Sequence, residues 1–219
     1  GDSFYATGVS IVLHPTNPHL PIIHMNVRYF ELNTGVYWFG GGIDLTPHYI
    51  VPELAGDFHR SLLSVCEKYS AEFYPKFKAW ADDYFFNVHR NETRGVGGIF
   101  YDHLDEKCGL TKNQLLNFAI DLGELFSVVY KNQVEKGIHK PFTEDQVRWR
   151  NIRRGRYVEF NLVHDRGTKF GLLSGGRTES ILLSMPPQAE WFYNLTPDHE
   201  SLEGQTLNLL KKGVDWIHA

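Results

Sequence analysis

The sequence predicts an α+β fold, an antiparallel or mixed β-sheet covered by α-helices. Strand-like patterns occupy the beginning and the end of the chain, and helical patterns occupy its middle. The chain has 219 residues, of which 42% are hydrophobic, a length and composition that suit one domain with a sizeable core. We therefore expect residues 1–219 to form a single domain.

The first part of the chain has the patterns of strands. Apart from Ser10, residues 9–13 are apolar and mostly β-branched, and residues 24–31 alternate between polar and apolar side chains. The period of two puts His24, Asn26 and Arg28 on one face of a strand. Gly35 turns the chain into residues 36–39, a predicted hairpin partner.

The middle of the chain is predicted to be helical and its last third to return to strands. Apolar residues at spacings of three and four predict helices over residues 53–70, 74–90 and 111–136. Strands are predicted over residues 157–163, 169–173 and 180–185, with hairpin-like turns between them. A short amphipathic helix over residues 202–217 closes the chain.

Charge and cysteine content exclude several classes of protein. The formal net charge of −4 does not support general nucleic-acid binding, and the nucleotide-binding glycine motifs are absent. The two isolated cysteines, Cys66 and Cys108, suggest a reducing compartment and not a disulfide framework. No run of about 18 apolar residues predicts a membrane span.

Histidine is concentrated in the first half of the chain, where seven of the eleven histidines precede residue 104. Histidine beside a carboxylate can build a metal site or supply acid–base groups near neutral pH. The spacing matches no compact metal motif, so both interpretations remain open, together with ordinary structural roles.

Asp44 follows three consecutive glycines, Gly40, Gly41 and Gly42. Glycine lets a ligand approach the backbone closely, so this carboxylate is a candidate for a binding site at the mouth of the sheet. The alternative is a local Asx-turn before Thr46.

Arginine is concentrated in the second half of the chain. The fork of a guanidinium binds a carboxylate through two parallel hydrogen bonds. Arg28, on a polar strand face, and Arg177, after Gly175 and Gly176, are therefore predicted to bind a ligand. The basic segment 148–154 is predicted to be a solvated loop.

Seven segments in this order resemble the oxygen-dependent coproporphyrinogen III oxidase family. They are HPTNP at 14–18, HMNVRYF at 24–30, WFGGGIDLTP at 38–47, HRNETRGVGG at 89–98, RRGRYVEFNLV at 153–163, DRGTKFGL at 165–172 and GGRTESILLSMPP at 175–187. The resemblance covers nearly the whole chain, although residues 102–148 contain no motif that can be aligned.

The resemblance implies a homodimer in which each subunit is a large antiparallel β-sheet flanked by α-helices on both faces. It implies oxidative decarboxylation of two propionates of coproporphyrinogen III to vinyl groups, giving protoporphyrinogen IX in heme biosynthesis. Dioxygen would be the co-substrate, with no organic cofactor. Members of the family carry a further N-terminal region that has no counterpart here, so residues 1–219 would be the catalytic domain.

The resemblance also assigns roles to residues. The predicted substrate contacts are Ser10, Asn26, Arg28, Gly175, Gly176 and Arg177. His24 would be the proton donor, and Arg28 and Arg177 would hold propionates. The histidines that would bind a divalent metal, if one is used, are His14, His24, His59 and His89. The dimer contact would involve residues 157–192, including Tyr157, Asp165 and Ile181.

Asp44 has a predicted role at the centre of the substrate. A porphyrinogen directs its pyrrole N–H groups inward, and one carboxylate can accept several of these hydrogen bonds. Such bonds favour the charged form, so Asp44 would stay ionised even when buried. It would then help to draw off an N–H proton as dioxygen adds to the ring.

Two other functions remain open from the sequence. One is a metal-dependent oxygenase built on His14, His24, His59 and Asp44, and the other is a non-catalytic tetrapyrrole carrier. The expected compartment is the cytoplasm, with the mitochondrial intermembrane space as the alternative.

Overall fold

A four-stranded antiparallel β-sheet is the centre of the fold in a computed structural model that describes residues 3–219. Its strands are β1 (Phe4–Leu13), β2 (Ile22–Leu32), β3 (Tyr37–Thr46) and β6 (Gly97–Leu104), and they lie in that order across the sheet. Two short strands, β4 (Phe86–Asn87) and β5 (Glu92–Thr93), form a separate hairpin.

Seven α-helices surround this sheet within the described residues. They are α1 (Pro52–Glu67), α2 (Phe73–Tyr84), α3 (Lys112–Gly137), α4 (Glu144–Val163), α5 (Arg166–Leu173), α6 (Thr178–Leu182) and α7 (Leu202–Leu209). The helices α1, α2 and α3 pack against one face of the sheet, and α4 and α5 lie across a cleft from the other face. The predicted α+β class is confirmed.

The two faces of the sheet differ because side chains alternate along each strand. Ile23, Met25, Ile43 and Leu45 point towards α1–α3 and are buried in the main core. Burial of each such side chain stabilises the fold by about 1.5 to 3 kcal/mol. The alternate positions of β2 and β3 are therefore free to carry polar groups on the opposite face.

The predicted strands of the last third are wrong. Residues 157–163 are the last turns of α4, while residues 169–173 lie in α5 and residues 180–185 run from α6 into the turn after it. The helix α4 begins with a capping box formed by Thr143 and Gln146, which offsets the modest helix propensity of the β-branched and aromatic residues downstream.

Packing decides the conformation of α4. Its buried residues Trp149, Arg153, Tyr157 and Phe160 recur at spacings of four, four and three, which is a helical stripe. The predicted hairpin turn at residues 165–167 is instead the start of α5, where the Asp165 side chain caps the helix by accepting a hydrogen bond from the Thr168 N–H at 2.7 Å.

The prediction of a solvated basic loop at residues 148–154 is also wrong. Arg150, Arg153 and Arg154 are buried in α4. The Arg154 Nη2 donates to the Pro15 carbonyl at 2.7 Å, and the Arg153 Nη2 lies 2.9 Å from a Glu92 carboxylate oxygen. These guanidinium groups tie α4 to the loop after β1 and to the small hairpin.

Other element boundaries differ from the predictions in smaller ways. The second predicted helix ends at Tyr84 because the chain then turns into the β4–β5 hairpin, and the last helix ends at Leu209. The hairpin partner predicted at residues 36–39 is confirmed and extends to Thr46, because the three glycines continue the strand. The strand β6 was not predicted.

Candidate active site

Neighbouring strands bring the predicted polar residues together on one face of the sheet. In the antiparallel register, His24 lies opposite Asp44, and Asn26 lies between Ser10 and Gly42. Directly opposite residues on the same face are close neighbours. The predicted alternation of His24, Asn26 and Arg28 is thus confirmed, and it places them beside Asp44.

The glycines of β3 place no side chains above this face of the sheet. A Cβ atom at Gly42 would lie 2.5 Å from the Ile99 carbonyl oxygen of the neighbouring strand. That contact is with backbone, so a side chain at position 42 would force β3 and β6 apart. The absence of side chains here leaves open space above the sheet.

A cleft of about 950 Å³ occupies this space. One wall is the sheet, with Ser10, His24, Asn26 and Arg28, and the other is formed mainly by aromatic residues and by the start of α5. The lining residues outside the sheet include Trp80, Tyr84, Phe85, Tyr157, Asn161, Asp165, Arg166, Gly167 and Thr168. The cleft has the size range and mainly apolar lining of small-molecule sites.

Asp44 lies at the base of the cleft, with both carboxylate oxygens engaged. Its Oδ1 is 2.8 Å from the His24 Nδ1, and its Oδ2 accepts a hydrogen bond from the Arg94 Nη2 at 2.5 Å. Asp44 is 2% exposed and Arg94 is 3% exposed. Asp44 is part of the strand ladder, which excludes the alternative of an Asx-turn.

Electrostatics keep Asp44 ionised. Burial alone would raise the pKa of Asp44, but the Arg94 charge and the His24 hydrogen bond outweigh it and hold the pKa below its usual value. The same ion pair raises the pKa of Arg94 although burial opposes it. The pair therefore stays charged inside the protein.

Arg94 is held in place from several sides. It donates to the Asn161 side-chain oxygen at 3.0 Å, and its guanidinium lies 4.3 Å from the centre of the Phe85 ring and 4.5 Å from that of Tyr157. Such cation–π contacts compensate part of the cost of burying the charge. Arg94 thus couples the sheet to α4 beneath the cleft.

An ionised Asp44 fixes the tautomer of His24. A carboxylate only accepts hydrogen bonds, so the His24 Nδ1 carries the proton that points to Asp44. The His24 side chain is 26% exposed and lines the cleft. Its Nε2 atom has no hydrogen-bond partner within residues 3–219 and is the position at which a proton can be exchanged with a ligand.

The structure places Asp44 behind His24 and not at the cleft surface. Asp44 does not line the cleft, so in this arrangement it meets no ligand directly. This differs from the expected role of accepting hydrogen bonds from the centre of a macrocycle. In the structure, the His24 side chain links Asp44 to the cleft through the hydrogen bond between the His24 Nδ1 and the Asp44 Oδ1.

The predicted ligand-binding residues divide into two groups. Ser10, Asn26 and Arg28 line the cleft, whereas Arg177 is exposed at the start of α6 and does not line it. Gly175 and Gly176 lie in the turn between α5 and α6, where the φ of +74° at Gly175 is in the left-handed region that favours glycine. The structure therefore does not bring this turn into the site.

The four histidines expected to bind a metal do not form a common site. The His14 Nε2 bonds to the Ser184 carbonyl at 2.9 Å, and His59 bonds to the Tyr74 hydroxyl and the Val96 carbonyl. His89 lies on the surface beside His164 and Glu159. Within residues 3–219, no group of three or more His, Cys, Asp or Glu side chains is arranged to hold a metal ion.

The residues expected at a dimer contact also line the cleft. Tyr157 is buried against Arg94, Asp165 accepts a hydrogen bond from the Tyr84 hydroxyl at 2.9 Å, and Ile181 lies beside them. Burial within one chain leaves the Tyr157 side chain unavailable to a second chain.

Sequence reasoning missed Arg94, Asn161 and Asp102, all of which lie in or under the cleft. Arg94 stands in a glycine-rich run, and a Cβ atom at Gly98 would collide with the Ile43 carbonyl. An arginine followed by glycines that permit close strand approach was the signal for Arg94. No local signal distinguishes Asn161 within α4.

The family model for coproporphyrinogen III oxidase matches residues 1–216. The chain belongs to this family. It is 46% identical over 219 residues to the oxygen-dependent coproporphyrinogen-III oxidase of Drosophila melanogaster. The aligned region covers 98% of this chain and 55% of the Drosophila protein. The mitochondrial enzyme of Homo sapiens is 47% identical, with coverage of 98% and 48%, and the chloroplastic enzyme of Hordeum vulgare is 45% identical, with coverage of 98% and 56%.

This member of the coproporphyrinogen III oxidase family spans about half the length of the relatives that it matches. The matched region contains every residue of the cleft described above. Among residues 3–219, no helix is long and apolar enough to cross a bilayer.

Proposed function

We propose that the protein catalyses the oxygen-dependent decarboxylation of two propionates of coproporphyrinogen III to vinyl groups, giving protoporphyrinogen IX. The observation that carries the proposal is the cleft of about 950 Å³ in which His24 and Arg28 lie above a buried Asp44–Arg94 pair. The names of the relatives, which are oxygen-dependent coproporphyrinogen-III oxidases, support the same reaction.

The walls of the cleft suit a flat substrate with acidic side chains. Trp80, Tyr84, Phe100 and Tyr157 offer aromatic surface to a macrocycle, and Arg28 offers a guanidinium to a propionate. Asn26 lies two residues from Arg28 on β2, and Ser10 lies opposite Asn26 on β1, so both would add polar contacts. Positioning of one propionate against the oxidant lowers the entropic part of the barrier.

The chemistry of the reaction requires one proton for each propionate. Conversion of a propionate to a vinyl group releases carbon dioxide and leaves two electrons with one proton, formally a hydride. Dioxygen accepts these two electrons, and one further proton completes hydrogen peroxide. We propose that the His24 Nε2 exchanges this proton, since Asp44 holds the other ring nitrogen in its protonated form.

The role of Arg94 in this proposal is electrostatic. It keeps the pKa of the buried Asp44 below its usual value, so that Asp44 remains an acceptor through the proton transfer. A histidine whose ring is oriented by an ionised carboxylate, as His24 is by Asp44, is a common arrangement for acid–base catalysis. Contacts from Gly175, Gly176 and Arg177 to substrate remain predictions, because their turn lies outside the cleft.

We further propose that the protein forms a homodimer through the exposed apolar residues of α5 and α6. Phe170 and Leu173 of α5 and Leu183 after α6 are exposed on the helical layer beside the cleft, and Phe170 and Leu183 also line the open side of the cleft. Large apolar side chains clustered at a surface mark an interaction site more often than isolated ones do. The predicted dimer segment, residues 157–192, includes all three.

The cytoplasmic compartment also stays a prediction. Cys66 and Cys108 are free thiols, one buried and one exposed, which suits a reducing environment. The words mitochondrial and chloroplastic in the names of relatives apply to those proteins.

One experiment tests the proposed reaction. The protein is incubated with coproporphyrinogen III in air and under argon, and the products are oxidised to porphyrins and separated by chromatography. We expect the sequential loss of two carboxyl groups in air and none under argon. Binding of the porphyrinogen without any loss of carboxyl groups in air would contradict the proposal and indicate a carrier.

A further inference from the structure

An ion pair spans three strands at the end of the cleft. Arg28 is on β2 and Asp102 is on β6, and the Arg28 Nη2 lies 2.9 Å from the Asp102 Oδ1. Their side chains meet above Gly40 of the intervening strand β3. A Cβ atom at Gly40 would lie 2.7 Å from the Arg28 Nε and 2.7 Å from the Asp102 Oδ1. The ion pair therefore depends on the missing side chain at position 40.

A β-bulge directs Asp102 to this place. Gly41 pairs with Tyr101, whereas Phe39 pairs with Leu104, so β6 has one more residue than β3 in this interval. His103 adopts a left-handed backbone conformation, with a φ of +48°, which accommodates the extra residue of the bulge. The His103 N–H donates to the Asp102 Oδ1 at 3.0 Å. The Asp102 carboxylate is thus held in place by the backbone of the neighbouring residue.

The Arg28 guanidinium is already engaged before any ligand arrives. Its Nη1 donates to the Asn26 side-chain oxygen at 2.8 Å, and its Nη2 faces Asp102. Both members of the ion pair line the cleft and are partly exposed, at 37% for Arg28 and 29% for Asp102. A ligand carboxylate that approaches Arg28 must therefore compete with a resident carboxylate of the same charge.

We infer that Asp102 is a positioning residue that competes with a substrate propionate for Arg28. This inference rests on the proposed function and adds a residue that determines how tightly Arg28 binds a propionate of the substrate. Asp102 weakens the binding of the charged propionate and keeps Arg28 paired after that carboxylate has left as carbon dioxide. Weaker ground-state binding favours turnover, because binding that is equal in the ground and transition states does not raise kcat.

The first test is Asp102→Asn, which removes the competing charge and keeps the size of the side chain. We expect about two- to fivefold tighter binding of oxidised coproporphyrin III, the range that corresponds to a partly exposed ion pair. The KM for coproporphyrinogen III should fall by a similar factor while kcat also falls. Asp102→Glu should restore both constants towards the wild-type values.

The matched control is Asp121→Asn. Asp121 of α3 pairs at 3.1 Å with Lys68, the residue after α1. The Asp121 side chain is also 29% exposed and does not line the cleft. Loss of this ion pair should leave porphyrin binding, KM and kcat unchanged. A purely structural effect of losing a surface ion pair would therefore appear in both variants.

NMR spectroscopy can detect the ion pair between Arg28 and Asp102 in the absence of substrate. The Nε–H resonance of Arg28, recorded by NMR on arginine labelled with nitrogen-15, should shift in Asp102→Asn and in Gly40→Ala but not in Asp121→Asn. The three atoms nearest to the methyl group of Gly40→Ala would belong to the flexible ends of the Arg28 and Asp102 side chains, so the sheet should be retained.

The outcomes separate this inference from the proposed function. Unchanged or weaker porphyrin binding in Asp102→Asn, or an unmoved Arg28 resonance, would overturn the role of Asp102 even if the wild type decarboxylates its substrate. Tighter binding in Asp102→Asn by a protein that never decarboxylates would support the competition and contradict the proposed function. If the wild type binds no porphyrin, the proposed function fails and the Arg28 resonance alone decides whether Asp102 holds the guanidinium.

Discussion

At the scale of single residues, the site depends on one buried charge pair. Asp44 and Arg94 are each almost completely buried, and each would be unfavourable in the interior without the other. The hydrogen bonds to His24 and Asn161 satisfy further donors and acceptors of the pair. The pair stabilises the fold only while it is complete, and its chemical result is a fixed orientation of His24.

Loss of Arg94 should therefore destabilise the protein strongly. We expect Arg94→Met to lower the free energy of unfolding by about 3 to 5 kcal/mol, because it leaves Asp44 buried without its partner. Urea unfolding followed by circular dichroism measures this change. The control is Arg90→Met, which removes an exposed partner of Glu159 and should cost no more than about 1 kcal/mol. Equal losses in the two variants would contradict the importance assigned to the buried pair.

At the scale of elements, strands β1, β2 and β3 of the site were predictable, whereas β6 and the helices above the site were not. Alternation in β2 identified His24, Asn26 and Arg28 as one face, because a sheet with one apolar and one polar face imposes a period of two. Residues 157–163 contain the same kinds of residues but belong to a helix of twenty residues. Their β-like composition was overridden by capping at Thr143 and by burial of a helical stripe.

Residues that act across elements could not be predicted either. Asp102 reaches Arg28 because of a bulge in β6, a strand that the sequence did not reveal. Asn161 reaches Arg94 because α4, on the wall of the cleft opposite the sheet, packs against Arg94. Both contacts depend on register and on packing between distant segments, which leave no periodic pattern in the chain.

The exposed side of α5 and α6 makes the proposed dimer testable at this scale. We expect Leu183→Glu to shift a dimer towards monomer in sedimentation velocity experiments, because it places a charge on a side chain that is 77% exposed in the single chain. Leu116→Glu is the matched control, since Leu116 is an exposed leucine of α3 on a different surface. A wild-type monomer at all concentrations, or a dimer unaffected by Leu183→Glu, would contradict this interface.

At the scale of the whole molecule, buried histidines link stability to pH. Burial lowers the pKa of His14 and His59 from 6.5 to about 4, and that of His48 from 6.5 to about 3. Between pH 6.5 and about 4, the unfolded chain binds protons that the folded chain does not bind. The free energy of unfolding must therefore decrease as the pH falls through this interval.

This pH dependence gives a further prediction. We expect the free energy of unfolding to fall from pH 7 to pH 4.5 by about 2 to 3 kcal/mol for each of these three histidines, measured by urea unfolding at half-unit steps. The slope should become shallower in His59→Gln, which removes one such group while the amide retains a donor and an acceptor. Stability that is constant or that increases on acidification would show that these histidines are not buried in their neutral form.

The proposed reaction also belongs to the scale of the whole molecule, because the substrate would have to contact both the sheet and the helical wall of the cleft. The most direct test is the porphyrin product profile of the wild type beside Asp44→Asn, each incubated in air with coproporphyrinogen III. We predict one-vinyl and then two-vinyl products from the wild type. For Asp44→Asn we predict a loss of rate on the order of a hundredfold, with binding of oxidised coproporphyrin III preserved. A wild type that removes no carboxyl group, or an Asp44→Asn variant that works at the wild-type rate, would contradict the proposed site.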